Sequence, residues 1–172
     1  MRQGLLCVLP MLLCACGDLK FPTNPNPTTS PTTPPGVATT GLVSAQIDSV
    51  PFSVVLLAAS TVQNGRFGFG LSIPELGDVI LSVGMPARVG RWDVGGDESP
   101  SAFVTAGSGG DAQRWIASVV GGTGSVTVIS IDDEGAFGDF QFELVPDTAA
   151  VRAGVVATRM VTNGTFRVRM RR

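Results

Sequence analysis

Apolar and polar residues alternate along several stretches after residue 41, and this period of two constrains the fold more than any other feature. In the first stretch, Val43, Ala45 and Ile47 alternate with polar residues. The same alternation recurs at 67–73, 139–144 and 165–170. Because successive side chains of a strand point to opposite faces, the pattern is typical of antiparallel strands that bury one face.

Turn sequences separate these stretches. Asn64-Gly65 and Asn163-Gly164 predict tight hairpins, because both residue types tolerate a positive φ. Other turn signals lie at 95–96, 107–111, 121–124 and 132–135. About ten short strands result and no clear helix, although 148–160 fits either a strand or a short helical turn. The sequence therefore predicts an all-β fold: an antiparallel β-sandwich, with a closed up-and-down barrel as the alternative.

The N-terminus differs in composition from the rest of the chain. Arg2 precedes an apolar run from Leu5 to Ala15, which is too short to span a bilayer and is typical of a secretory signal. The run ends in Leu13-Cys14-Ala15-Cys16, which resembles the lipobox of bacterial lipoproteins. The resemblance implies that residues 1–15 are removed as a signal peptide, and that Cys16 receives a diacylglyceryl group and an acylated amine, with palmitate among its fatty acids.

Two or three acyl chains on Cys16 imply lasting attachment to a membrane, since one chain alone binds only marginally. The alternative is an ordinary cleaved signal that leaves a free protein. The sorting rule of some Gram-negative bacteria retains lipoproteins in the inner membrane when Asp follows the modified cysteine. Here Gly17 follows and Asp18 lies one place later, so the resemblance implies the bacterial cell envelope and, within it, the outer membrane.

A proline- and threonine-rich tract follows the cysteine. Residues 22–41 contain six prolines and seven threonines, a composition that buries no apolar surface and favours polyproline II or disorder. We therefore divide the chain into a signal peptide (1–15), a lipidated cysteine with a flexible stalk (16–41) and an all-β domain (42–172). A fully extended stalk would reach about 75 Å.

The residue types that are absent exclude several kinds of chemistry. The chain has no histidine, its only lysine is Lys20, and its three cysteines all precede residue 17. The domain therefore lacks the most common general base and the usual zinc ligands, and it holds no disulfide. Its thirteen acidic residues against ten arginines give a net charge of −3, which is unlike a nucleic-acid-binding protein. We predict no cofactor, no metal, no nucleic-acid partner and no catalytic residues, hence a protein that is not an enzyme.

Two loop sequences are candidate sites. Ser108 lies in a glycine-rich segment like a nucleophile elbow, but a Ser-His-Asp triad requires a histidine. The acidic cluster Asp132–Glu134 is interpreted as a solvated turn, with a calcium site as the alternative. A second acidic group could join it in space; its members are Asp93, Asp97 and Glu98.

Two tryptophans and a group of arginines are further candidates for a binding site. Trp92 and Trp115 share faces with apolar neighbours, so burial is favoured over a role as sugar-stacking platforms. Four arginines crowd the C-terminal end: Arg167, Arg169, Arg171 and Arg172. Contact with lipid headgroups or an acidic polymer is one interpretation. A charged edge strand that discourages aggregation is the simpler one.

The domain as a whole resembles an uncharacterised β-domain family of bacterial lipoproteins. The resemblance rests on the order and spacing of short segments that cover nearly all of 42–172, and it departs from the family where Trp92 replaces an expected tyrosine. The matching segments are 43–48 with Pro51-Phe52, 71–74, 90–92, 124–128, 140–142 and 161–166. It implies a sandwich-like fold and an exported location, and it brings no site residues beyond Cys16 of the lipobox.

These observations predict a membrane-anchored lipoprotein with a binding or structural role in the cell envelope, attached through the lipid on Cys16. Its further partner is an unidentified envelope protein or glycan. Two alternatives remain: a carrier of a small apolar ligand inside a barrel, and a hydrolase that depends on two carboxylates.

Overall fold

The computed structural model describes residues 41–171. The chain divides into two units, residues 1–32 and 33–172, and every described residue belongs to the second. The predicted signal peptide, the lipid-attachment residue Cys16 and the stalk before Gly41 lie outside the described residues, and so does Arg172.

Eleven strands and one short helix make up the described part of the chain. The helix α1 is Thr148–Arg152, and Pro74–Leu76 and Gly109–Asp111 are single 3-10 turns. The strands are β1 (Gly41–Ile47), β2 (Val50–Leu56), β3 (Ser60–Thr61), β4 (Arg66–Ile73), β5 (Val79–Pro86), β6 (Gly90–Asp93), β7 (Ser101–Ala106), β8 (Gln113–Ala117), β9 (Thr123–Ile131), β10 (Gly135–Pro146) and β11 (Arg159–Arg171).

All strands belong to one sheet that is nearly closed into a barrel. Its main path runs β2-β1-β11-β10-β8-β7-β5-β4, and β9 extends the sheet from β10 to β6. Every pairing is antiparallel except that of β3 with β11. The long strand β10 belongs to both halves, because it pairs with β9 and β11 along most of its length and with β8 at Val145 and Pro146. The all-β prediction is confirmed, with eleven strands in place of about ten.

The two halves of the sheet face each other across a phenylalanine cluster. Phe69 of β4 lies 5.8 Å, between ring centroids, from both Phe140 of β10 and Phe166 of β11. Phe67 also contacts Phe166, at 6.2 Å. These residues occupy the inward positions of the alternating stretches, and their neighbours on the other face are exposed or half-buried. The period of two therefore identified the core face correctly.

One Asn-Gly dipeptide lies in a turn and the other lies inside a strand. Asn64 and Gly65 form the predicted tight turn, closed by reciprocal backbone hydrogen bonds between Gln63 and Arg66 of 2.8 and 3.0 Å. The prediction of a hairpin at Asn163-Gly164 is wrong, because both residues lie inside β11. Asn163 has a φ of 53° at a register shift, where β11 has one more residue than β1 opposite Ala45. Asparagine tolerates the left-handed region at a bulge as well as in a turn.

The ambiguous segment after β10 contains the helix. The Asp147 side chain accepts a hydrogen bond of 2.9 Å from the backbone N–H of Ala150, which caps the first turn. Among the described residues, no helix has the length and apolar character needed to cross a bilayer.

Candidate functional site

The sheet fails to close between β2 and β4, and a cleft of about 690 Å³ lies at this gap. These strands end the main path of the sheet, and no ladder joins them although they approach each other. Residues of both strands line it, among them the buried Leu56 and Leu71. The segment from Leu57 to Thr61 borders it. The cleft therefore opens on the core of the domain.

The local sequence keeps the β4 side of the cleft free of bulk. Gly68 and Gly70 alternate with Phe69 and Leu71, so no outward side chain covers this edge. A Cβ atom on Gly68 would lie 2.5 Å from the carbonyl oxygen of Val83, which explains why glycine is required there. The Ser60 hydroxyl donates to the carbonyl of Gly68 at 2.7 Å and closes one end of the gap.

The lining of the cleft combines apolar side chains with a few uncharged polar groups. The polar groups come from Ser60, Thr61, Gln63 and Ser72. None of the described residues that line the cleft carries an ionisable side chain. A cavity of this size and character is typical of sites that bind small, mainly apolar ligands.

The cleft was not among the sites predicted from the sequence. A signal was present in the segment from Val54 to Ala59, which is continuously apolar and breaks the period of two. Leu57 is 73% exposed although it is a large apolar residue. An apolar run that loses its alternation at the end of a strand marks apolar surface that the fold does not bury.

Known proteins give no guide to this site. No family model, curated protein or solved structure matches the chain. The resemblance to a lipoprotein β-domain family therefore stays a prediction, and the site is interpreted from its geometry alone.

The acidic turn at the end of β9 is organised by its own backbone. Oδ1 of Asp132 accepts hydrogen bonds from the backbone N–H groups of Glu134 and Gly135, at 2.8 and 2.9 Å. These hydrogen bonds, with that of Gly135 the stronger influence, hold the pKa of the Asp132 carboxyl below its ordinary value. The carboxylate thus stabilises the hairpin turn that joins β9 to β10.

The second acidic group lies elsewhere, and two of its three members are paired with arginines. Glu98 contacts Arg88 at 2.6 Å, and Asp93 contacts Arg91 at 3.3 Å. Asp93 is opposite Ser125 near the start of β9, whereas Asp132 follows the last residue of that strand, so about 23 Å of strand separates them. Within residues 41–171, no three acidic, histidine or cysteine side chains are grouped to hold a metal ion.

The lowered pKa of Asp132 predicts a specific acid sensitivity. The stabilisation that depends on this carboxylate is fully present above the pKa of the unfolded chain, about 3.9, and is lost as the pH falls through the lower pKa of the folded state. Asparagine at this position keeps an acceptor oxygen and cannot titrate. We expect the stability difference between the wild type and Asp132→Asn to shrink below about pH 4. Urea unfolding at a series of pH values measures it, and a difference independent of pH would contradict the assignment.

The two tryptophans occupy different environments. Trp115 is 4% exposed, and its Nε1–H donates to the carbonyl of Ala157 at 2.9 Å. Its predicted burial is therefore confirmed. Trp92 is half-buried and packs against the edge of the core, with the guanidinium of Arg88 4.4 Å from its ring centroid. This stacking covers one face of the ring, which disfavours a role as a sugar-stacking platform.

Ser108 lies in an exposed loop between β7 and a single 3-10 turn. A nucleophile elbow joins a strand to an α-helix, so the surroundings of Ser108 differ from that motif. Together with the missing histidine, this leaves the residue as part of a surface connection.

The arginines near the C-terminus lie on the outer face of a central strand. Arg167, Arg169 and Arg171, here named the basic strip, are all exposed and alternate with the buried Val168 and Met170. β11 pairs with β1 on one side and with β10 on the other. The interpretation of these arginines as protection for an edge strand is therefore wrong, because β11 is not an edge.

Proposed function

We propose that this chain is a lipid-anchored, non-enzymatic binding module of a bacterial cell envelope, and that it holds an apolar ligand in the cleft between β2 and β4. The observation that supports this proposal is the lining of the cleft. General acid–base or nucleophilic catalysis needs a titratable or activated group at the site, and the described lining offers none. Apolar walls with a few hydroxyl and amide groups favour binding instead.

The site proposed here lies at the gap in the sheet and not at the centre of the molecule. The ring of Phe140 lies 5.8 to 6.4 Å, between centroids, from those of Phe69, Phe142 and Phe166. The middle of the interior is therefore filled by packed side chains, which disfavours a carrier with a central cavity.

The anchor is supported by the lipobox and its position. The apolar run ends at Ala15, directly before Cys16, and the residues 17–40 then separate this cysteine from β1. The acyl chains on Cys16 would attach the domain to the membrane through these residues.

Fractionation of cells that express Cys16→Ala tests the anchor. We expect the wild type to incorporate labelled palmitate and to stay with membranes after a high-salt wash, and the variant to do neither. A variant that remains in salt-washed membranes, or a wild type without fatty acid, would refute the anchor.

The cleft is tested with the fluorescent apolar probe 1-N-phenylnaphthylamine. We expect the wild type to increase the probe's fluorescence and Ala58→Trp, which places a bulky ring at the border of the cleft, to abolish the increase. Ala58 is exposed, so the substitution should leave the fold intact. Ala153→Trp is the control at an exposed position outside the lining. Equal probe binding by the two variants would exclude the cleft as the site.

A further inference from the structure

We infer that the basic strip docks the domain onto an anionic lipid surface, so that the module lies on the membrane to which it is tethered. The inference deepens the proposed function and rests on its anchor for biological context. Three observations support it. The arginines of the strip are exposed and form no ion pair with another described residue, apolar side chains flank them, and the chain enters the domain beside them.

The guanidinium groups of the strip are available to an external anion. Ion pairs between described residues use Arg88, Arg91, Arg114 and Arg159, so none engages Arg167, Arg169 or Arg171. The three arginines lie on one face at alternate positions, about 7 Å apart along the strand. A row of this kind is complementary in charge to phosphate groups on a flat surface.

Apolar side chains flank the strip on the same outer face. Arg167 is paired across the sheet with Leu42 on β1 and with Phe137 on β10, and Val55 lies beyond Leu42 on β2. Phe137 and Val55 are each 39% exposed. Arginine beside exposed aromatic and aliphatic groups is the combination that suits the boundary between headgroups and acyl chains.

The tether enters the domain beside the strip. Gly41 is paired with Val168, the residue between Arg167 and Arg169. A lipid on Cys16 would thus connect to the domain at this face through the residues 17–40. A tether of this length gives the strip a millimolar effective concentration at the surface, so that a weak contact suffices to hold the domain down.

Acidic residues lie next to the strip and weaken its attraction to an anionic surface. Asp139 lies one row away, opposite Thr165, and the backbone N–H of Met170 contacts the carbonyl of Glu134 in the acidic turn at 3.3 Å. Neutralising Glu134 should therefore strengthen attraction to an anionic surface.

Vesicle sedimentation with a chain that begins at Gly17 tests the inference without the anchor. This chain has no cysteine and keeps every core residue. We expect it to bind vesicles of phosphatidylcholine mixed with phosphatidylglycerol, to bind pure phosphatidylcholine poorly, and to dissociate at high salt. Each arginine near an anionic surface strengthens binding about fivefold, so the triple variant Arg167→Gln/Arg169→Gln/Arg171→Gln should bind on the order of a hundredfold more weakly. Glu134→Gln should bind more tightly than the wild type.

A second triple variant controls for net charge. Arg88→Gln/Arg91→Gln/Arg152→Gln removes three exposed arginines outside the strip, and it should retain most of the binding. Circular dichroism and thermal unfolding establish that both triple variants are folded. Equal loss in the two variants would overturn the inference, because binding would then depend on overall charge. Competition by inorganic phosphate at low millimolar concentration, or binding to heparin without binding to vesicles, would also overturn it in favour of a phosphate site or an acidic polymer.

Different results would refute the lipid anchor and the docking through the basic strip. Release of Cys16→Ala from membranes without vesicle binding by the strip would leave the anchor standing and remove the docking. Vesicle binding by the strip in a protein that carries no fatty acid would do the reverse.

Discussion

Replacing Phe166 with alanine is expected to lower the free energy of unfolding by about 3–5 kcal/mol, as truncation of a buried phenylalanine does when the surrounding structure cannot collapse. The ring of Phe166 contacts those of Phe67, Phe69 and Phe140, so it joins the two halves of the sheet. Since small domains are stable by about 5–15 kcal/mol, the variant should lose a large fraction of its stability. Chemical denaturation followed by tryptophan fluorescence measures the loss.

Phe137→Ala is the matched control for this prediction. Phe137 lies on the outer face of β10 and is 39% exposed, so its truncation should cost much less than that of Phe166. If the two variants lost similar stability, the phenylalanine cluster would not be the centre of the core.

Gly138→Ala should lower the free energy of unfolding by about 2–3 kcal/mol, although it adds a single methyl group. Gly138 lies on β10 at a register shift with β9. A Cβ atom there would overlap the backbone carbonyl of Thr127 and would lie 2.8 Å from the ring of Phe166. The backbone oxygen cannot move without displacing β9, so the strain must be relieved by separating two paired strands. Thermal and chemical unfolding both report the loss.

Gly70→Ala provides the control in a strand of the opposite half. A Cβ atom at this position would meet only the hydroxyl of Ser82, at 3.3 Å, and Gly70 is exposed. The substitution should be neutral or slightly stabilising, because alanine restricts the unfolded chain. Equal destabilisation by the two substitutions would mean that backbone freedom, and not the close contact with β9, determines the cost at Gly138.

The sequence predicted the strands and the buried face because both follow from local alternation. Phe67, Phe69, Phe140 and Phe166 were all placed correctly on inward faces, and Asn64-Gly65 was placed correctly in a turn. The hairpin between β1 and β2 was not predicted. Asp48 and Ser49 form it with φ values of 49° and 71°. Aspartate is accepted in such turns, but serine occupies the position where glycine usually follows it, so the dipeptide gives only a weak turn signal.

The cleft and the interior position of the basic strip were not predicted, because both depend on which strands become neighbours. The cleft exists because β2 and β4 end the path of the sheet, and the basic strip is not an edge because β11 lies between β1 and β10. Both facts are properties of long-range pairing, which the alternation within a strand does not contain. The bulge at Asn163 was not predicted for a related reason, because it is defined by the register of β11 against β1 and β10.

The pairing of β1 with β11 has a consequence for how the domain acquires its structure. β1 comes first among the described strands and β11 last, and the ladder aligns Gly41 with Val168. Of the described strands, the one between β1 and β10 is therefore synthesised last, and loop closure from residue 41 to residue 168 must precede its pairing with β1. Until β11 pairs, β1 and β10 lack the strand that joins them.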